Sequence, residues 1–376
     1  MTQLTLKCKI LYVRTFKLGA IPITPKYTVI ERYLLEELKS GKYAVGDKLP
    51  TEKELMNKFS ASRETVRKAL DRLSFKAAIV RRPGLGTFVS YGRDNHLVGI
   101  LVQQITSYIF PYIVLGAEDH LFRNEYKMLL GNSAEDPVKE RQILSEWIES
   151  GVKGLIIDPV YSATKRSNKD LVESMAKSGV KIVLVHSDWN IDHVSCNVLD
   201  DAYGGEKASE IFFEYGHQRV AVIYKSTHLP GVIRAKSFVD RCKQLGFTKI
   251  YEKSFNVSEF TGAPMQIAHE LMSLPAQLRP TAVFCYNDAT ALQLQLVAKR
   301  LALNIPEDVS VIGFDDGPIG DFREVLTTFA HPKEEIGKKS VEILLDMLNG
   351  SSAHRVVHKP ELIERSSVAK VKEYPQ

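Results

Sequence analysis

Cysteine is scarce in this chain of 376 residues: Cys8, Cys196, Cys242 and Cys285 stand far apart, with no CxxC pair. That spacing excludes a zinc-ligating framework or a disulfide scaffold and points to a reducing compartment, the cytoplasm being the simplest. Long apolar runs are missing too. No stretch of roughly 18 or more apolar residues occurs, so no membrane-spanning helix is expected. The first residues are basic and partly apolar, but no clean apolar run leads to a small-residue cleavage site, and no secretion signal is read there.

What is present is unevenly distributed. Residues 1–95 hold 19 Lys and Arg against 9 Asp and Glu, and the remainder holds 31 against 36, so a basic head precedes a mildly acidic body although the whole chain nets only +5. That asymmetry suits a protein whose head alone meets a polyanion.

The head reads as three helices and a hairpin. From Pro25 onward, Val29, Ile30, Tyr33, Leu34, Leu35 and Leu38 fall near one helical face, and Gly41 ends the run. Thr51, with Glu54 three residues on, marks the start of a short second helix that offers Leu55, Met56 and Phe59 to the same core. After a tight turn at Ser60 and Ala61, Ser62 caps a third helix. Its stripe of Val66, Ala69, Leu70 and Leu73 leaves Arg63, Glu64, Arg67 and Lys68 facing away, with Thr65 at the polar edge. Two helices joined this closely, the second basic at its start, fit a helix-turn-helix. An arginine fork there can bond guanine O6 and N7 together, a contact worth about 1–3 kcal/mol of discrimination. "IVRRPGLGTFV" then reads as a β-hairpin with Pro83, Gly84 and Gly86 at its bend.

In that order, "GDKLPTEKEL", "SRETVRKAL" and "RRPGLGTFV" resemble the winged helix-turn-helix of GntR-family transcription regulators, over about residues 25–90. The resemblance implies contacts to double-stranded DNA from Lys53, Ser62, Arg63, Glu64, Thr65, Arg67 and the wing at Gly84. In "FKAAIV", Ala78 stands where the family usually has a glycine, a change expected to alter only the turn. Residues 1–22 have no counterpart in the pattern.

A polar, turn-prone stretch at residues 91–96 is expected to link this head to a body spanning 97–370. In the body, apolar runs such as "LVGILVQ", "VKGLIIDP", "VKIVLVHS" and "QRVAVIYK" alternate with helical segments. Such alternation implies an α/β fold with parallel sheets, and the length suffices for two lobes. Ligands in open α/β sheets bind at the carboxyl ends of strands. Those ends carry Asp158, His186, Asn287 and Asp315, donors and acceptors suited to vicinal hydroxyls, and Tyr108 and Phe110 are expected to supply an apolar wall. The sum points to a small polyhydroxylated ligand. Asn287 or Asp288 is also expected to cap the following helix, and Asp315 with Asp316 has the pattern of a turn pair.

The stretches "VGILV", "GVKGLIIDP", "CNVLDDAYGG", "YGHQRVAVI", "AVFCYNDATALQ", "IPEDVSVIGFDD" and "ELIERSS" resemble the effector domain of the LacI/GalR family, built like type I periplasmic sugar-binding proteins. By position, the resemblance implies effector contacts from Arg234 in "RAKSF", from Asn287 and Asp315, and from His186, where the family often has an aspartate. Ser237 stands where a glycine is usual, so the local turn is expected to differ. "SYIFPYIVLG" and "FAHPKEEIGKKS" are similar to the arabinose-repressor family, which joins a GntR-type head to this body and whose effector is L-arabinose.

The expected molecule is a homodimeric repressor. Its two heads engage pseudo-palindromic half-sites about 34 Å or a multiple apart, and sugar disfavours that spacing. The same contacts serve an activator if the operator is placed differently. No catalytic residue, metal or cofactor is expected. The neighbouring carboxylates Asp200 with Asp201, and Asp315 with Asp316, are poorly placed to converge on one bond. No lysine context suits a pyridoxal-phosphate Schiff base, and the body is short for such an enzyme. A transport receptor would fit the body alone, and the basic head argues against it.

Overall fold

The structure, a computed structural model, describes residues 25–44, 46–75, 78–89, 96–106, 108–256 and 261–371. Residues 1–22 and positions 91–95 of the expected linker lie outside the described residues. Two compact units are present, one before His96 and one from His96 onward.

In the first unit, α1 (Lys26–Lys39), α2 (Glu52–Phe59) and α3 (Arg63–Phe75) enclose Ile30, Leu34, Leu55, Val66, Ala69, Leu70 and Leu73. Val29 was expected with them but is 45% exposed. Ile30 and Leu34, one turn apart, set the buried line, and Val29 falls on its flank. The anticipated capping box forms: Glu54 N–H donates to Thr51 Oγ1 at 3.3 Å and Thr51 N–H to Glu54 Oε2 at 2.7 Å. α2 stops at Ser60, whose left-handed backbone (φ 46°) makes the turn, and Ser62 Oγ accepts the Thr65 N–H at 3.2 Å where α3 begins. Ala78 N–H donates to Leu73 O at 3.0 Å, closing the helix end without a glycine. The wing follows as antiparallel β1 (Ile79–Arg82) and β2 (Gly86–Val89), with Arg82 opposite Gly86.

The second unit has two lobes. The first contains β3 (Leu97–Val102), α4 (Phe110–Arg123), β4 (Lys127–Asn132), α5 (Pro137–Glu149), β5 (Gly154–Ile157), α6 (Lys169–Lys177), β6 (Lys181–Val185) and β7 (Val194–Leu199). The second contains α7 (Asp201–Glu214), β8 (Arg219–Lys225), α8 (Leu229–Leu245), β9 (Lys249–Phe255), α9 (Ala263–Met272), β10 (Ala282–Cys285), α10 (Asp288–Arg300) and β11 (Ser310–Ile312). All residues of β5 and β10 are buried, as strands covered on both faces require.

The chain then crosses back. After β12 (Thr328–Ala330), α11 (Lys333–Leu348) packs on α4, and β13 (Arg355–His358) joins the edge of the first sheet. β14 (Glu361–Ile363) returns to pair antiparallel with β12. The first sheet therefore runs β13-β7-β6-β5-β3-β4 and the second β11-β10-β8-β9, every neighbour parallel. Two glycines let α4 and α11 touch backbone to backbone. A Cβ on Gly116 would lie 2.1 Å from Glu334 O, and one on Gly337 would lie 2.0 Å from Ile113 O. Among the described residues, no helix is long and apolar enough to cross a membrane.

Candidate functional site

On the head, a groove of about 470 Å³ lies between the start of α3 and the wing. Lys48, Arg63, Arg67, Arg81 and Arg82 line it, with Glu52 as the one carboxylate among its lining residues. Glu52 accepts from Arg63 Nε at 3.0 Å, from Arg67 Nε at 3.1 Å and from Arg81 Nη2 at 2.5 Å. Burial raises its carboxyl, but the hydrogen bonds from Arg63 and Arg67 outweigh that and hold it below the usual carboxylate range. Because Glu52 holds Arg63 and Arg67 through Nε, the planes of both guanidinium groups are fixed. Of the anticipated contacts, Arg63, Arg67 and Gly84 line this groove. Lys53 and Glu64 are exposed elsewhere on α2 and α3, and the Ser62 and Thr65 hydroxyls bond each other at 2.8 Å.

In the second unit, the carboxyl ends of the two sheets meet around a cavity of about 40 Å³. Tyr108, Phe110, His186, Arg234, Asn287 and Asp315 line it as anticipated, together with Gln103, Glu135, Lys225, His228, Tyr286 and His331. Asp158 stands one layer back. Its Oδ1 accepts from Gln103 Nε2 at 3.3 Å and its Oδ2 lies 3.6 Å from His186 Nδ1, so it orients two lining side chains. His186 Nε2 in turn lies 2.7 Å from His331 Nε2. Burial first, then His186 and Lys333, push His331 well below the usual histidine range, so this ring is neutral. His331 Nδ1 is buried with no hydrogen-bond partner among the described residues.

Arg234, on α8, is the centre of the second-lobe wall and is 3% exposed. Its Nε donates to Asp201 Oδ1 at 2.7 Å and its Nη1 to Tyr286 O at 2.7 Å, while Asp315 Oδ1 lies 3.5 Å away. Its guanidinium also stacks 3.4 Å from the centroid of the Phe314 ring. Burial lowers its pKa, and the charges of Asp201 and Asp315 more than restore it. The altered turn expected at Ser237 is absent. α8 runs through it, Ser237 Oγ donates to Ile233 O at 3.0 Å, and Gly205 on α7 makes the room, since a Cβ there would lie 2.2 Å from both Ser237 Oγ and Arg234 O.

Asn287 caps α10 by accepting the Thr290 N–H at 2.9 Å. Asp288 is instead a buried hub: Oδ1 accepts from Thr328 Oγ1 and Oδ2 from Gly317 N–H, each at 2.7 Å. Burial, reinforced by Asp315, pushes Asp288 up to about 8. The expected turn at Asp315 and Asp316 is present, both in left-handed backbone at φ 102° and 47°. Lys333 Nζ donates to both of their carbonyls, at 2.6 and 3.0 Å, while Arg323 and Arg365 hold the Asp316 carboxylate. Tyr108 (φ 63°), Glu135 (φ 59°) and His186 (φ 57°) border the cleft with the same strained backbone, at about 1–3 kcal/mol each. Tyr108 corrects the expectation of an apolar wall, because its hydroxyl donates to Asp315 Oδ2 at 2.7 Å. Glu135 and Lys225 form an ion pair across the cleft at 2.7 Å.

Comparison with known proteins assigns both units. The family model described as bacterial regulatory proteins, gntR family, matches residues 26–89, and that of a periplasmic binding protein-like domain matches residues 210–368. The chain is 34% identical over 358 residues to the arabinose metabolism transcriptional repressor of Geobacillus stearothermophilus, covering 92% of this chain and 98% of that one. It belongs to this family of transcriptional repressors. The corresponding repressor of Halalkalibacterium halodurans is 25% identical, with 92% and 97% of the two chains covered. Among solved structures, a LacI family transcriptional regulator from Enterococcus faecium with bound ribose matches 73% of this chain and all of its own, at 26% identity and a TM-score of 0.63.

The repressor is therefore a DNA-binding regulator with an effector domain of the sugar-binding kind, and not an enzyme. Its adjacent acidic pairs have structural work: Asp200 caps α7 by accepting the Tyr203 N–H at 3.1 Å, and Asp201 holds Arg234. Of the lining residues that sequence reasoning missed, Gln103 and Lys225 follow apolar strands as His186 does, so the same rule finds them. His331 and Tyr286 carried no such signal.

Proposed function

We propose that the repressor is a cytoplasmic homodimer that binds a pseudo-palindromic operator in double-stranded DNA and releases it when L-arabinose occupies the cleft. Residues 25–90 bind DNA, 91–96 link, and 97–370 bind the effector and dimerise. Arg63 and Arg67 read bases from the groove, and Lys53, Ser62, Glu64, Thr65 and the wing at Gly84 complete the DNA contacts. The observation that carries the sugar reading is the wall of the cavity. His228 and His331 both line it, and the Nδ1 of each is buried with no hydrogen-bond partner among the described residues. Buried ring nitrogens left open in this way, each a donor or an acceptor according to the tautomer, suit ligand hydroxyls. Arg234, Asn287 and Asp315 add donors and acceptors to the same wall. The names of the relatives and the ribose bound to the Enterococcus regulator support a pentose. The cavity has room for about three waters, so the lobes must part for the sugar to enter.

A thermal-shift panel of common monosaccharides tests the reading, because a ligand that prefers the folded state raises its apparent stability. L-Arabinose is expected to give the largest shift and to release a promoter fragment in a gel-shift assay. A larger shift with another sugar would reassign the effector. Stronger DNA binding in its presence would reverse the direction of control.

A further inference from the structure

Tyr108 lies in the turn before α4, on the first lobe, yet its hydroxyl is anchored on the second. It donates to Asp315 Oδ2 at 2.7 Å, lies 3.2 Å from Phe314 O and accepts the Asp288 N–H at 3.1 Å. The ring is seated as firmly as the hydroxyl. A Cβ on Gly317 would lie 2.5 Å from Tyr108 Cε2 and 3.1 Å from Cζ, so only glycine at that position leaves room for it. Asp315 is thereby divided. One oxygen is taken by the phenol, and the other faces Arg234 at 3.5 Å, beside the cavity. A hydroxyl belonging to the protein thus occupies the acceptor and donor that this end of the cleft would otherwise offer a ligand.

We propose that Tyr108 sets the length of the ligand: its phenol fills the space that the exocyclic hydroxymethyl group of a hexose would need, so the site takes a pentose and rejects the hexose differing only by that group. This rests on the cleft being a monosaccharide site. The lobes part to admit any sugar, but they could not close again over a hexose without its hydroxymethyl group meeting the ring seated against Gly317, an overlap expected to make the discrimination at least ~30-fold.

Calorimetric titration of the full-length repressor with matched pairs, L-arabinose against D-galactose and D-xylose against D-glucose, tests the proposal in wild type, Tyr108→Ala and Tyr108→Phe. The wild type is expected to bind one pentose at least ~30-fold more tightly than its hexose partner. Tyr108→Ala, which empties the space, is expected to bring that ratio within about threefold, and Tyr108→Phe, which keeps the ring, to preserve most of it. If the wild type binds the pentose and Tyr108→Ala keeps its preference, or Tyr108→Phe loses it, the length filter is refuted while the sugar reading stands. If the wild type binds neither member of either pair, both fall together. Should Tyr108→Ala fail to melt cooperatively, Tyr108→Leu, which also lacks the far part of the ring, replaces it with the same outcomes.

Discussion

Arg234 and Asp201 form an ion pair buried from solvent, Nε to Oδ1 2.7 Å apart, that ties α8 to the first turn of α7. The pair fixes the guanidinium so that its other edge reaches Tyr286 O and faces Asp315. In the proposed effector site, sugar binding and the integrity of the second lobe therefore share one side chain.

Arg234→Ala leaves two buried carboxylates facing each other, and breaking a buried pair from one side costs about 3–5 kcal/mol. Urea melts are expected to show that loss, and sugar is expected to give no thermal shift. Arg234→Lys is expected to restore part of the stability but not the binding, since an ammonium cannot reproduce the planar division among three partners.

Glu52 makes a prediction of the opposite kind in the head. Arg63→Ala or Arg67→Ala is expected to cost about 1–3 kcal/mol of operator affinity while leaving sugar binding unchanged. Glu52→Gln removes a negative charge from a basic groove, so binding to random duplex is expected to tighten while the preference for operator shrinks. Salt-dependent fluorescence anisotropy with both DNAs separates the two effects. An unchanged preference would mean that Glu52 does not hold the arginines for reading.

Gly337→Ala tests the crossing of α4 and α11. Its Cβ would meet the Ile113 carbonyl at 2.0 Å, and backbone cannot swing aside as a side chain can. A loss of about 1–3 kcal/mol is expected, read by thermal melting. Gly350→Ala offers a control without a clash, since nothing lies within 4 Å of its added Cβ, although its φ of 103° carries a local cost.

His217 sets a pH dependence. It is 2% exposed, bonded through Nδ1 to Thr281 Oγ1 at 3.0 Å and through Nε2 to Ala369 O at 3.1 Å, and burial pushes it down to about 4. An unfolded histidine titrates near 6.5, so between about 6.5 and 4 the unfolded chain takes up the proton first and stability falls as pH is lowered. The contribution is on the order of 3 kcal/mol across that window. His217→Gln is expected to lessen the fall of the denaturation midpoint over the same range without abolishing it, because burial pushes His228 and His331 down as well. A midpoint as steep as wild type would assign the acid sensitivity elsewhere.

Much of this was legible from residues alone, for reasons that differ by region. The head was legible because capping and periodicity are local: Thr51, Glu54, Ser62 and the stripe from Val66 to Leu73 act over single helical turns. In the body, the first polar residue after an apolar strand located His186, Asn287 and Asp315, because a parallel sheet delivers every strand end to the same edge. That rule says nothing about depth, which is why Asp158 lies behind the wall. It also says nothing about loops, which is why Glu135 and His331 were missed. The return of β13 to the first sheet joins residues distant in sequence and leaves no local pattern. Tyr108 was misread because its backbone conformation, not its apolar ring, decides where the hydroxyl lands. Glu52 was passed over because an acid in a basic head reads as surface charge until its three arginines are seen.

The account depends on one coupling, between sugar in the cleft and operator at the head. Calorimetric titration of L-arabinose into the repressor, free and then saturated with operator duplex, measures it directly. Thermodynamic reciprocity requires operator to weaken sugar binding by the same factor by which sugar weakens operator binding. A matching loss of affinity in the two experiments is the expected result; identical sugar affinities with and without operator would contradict the account.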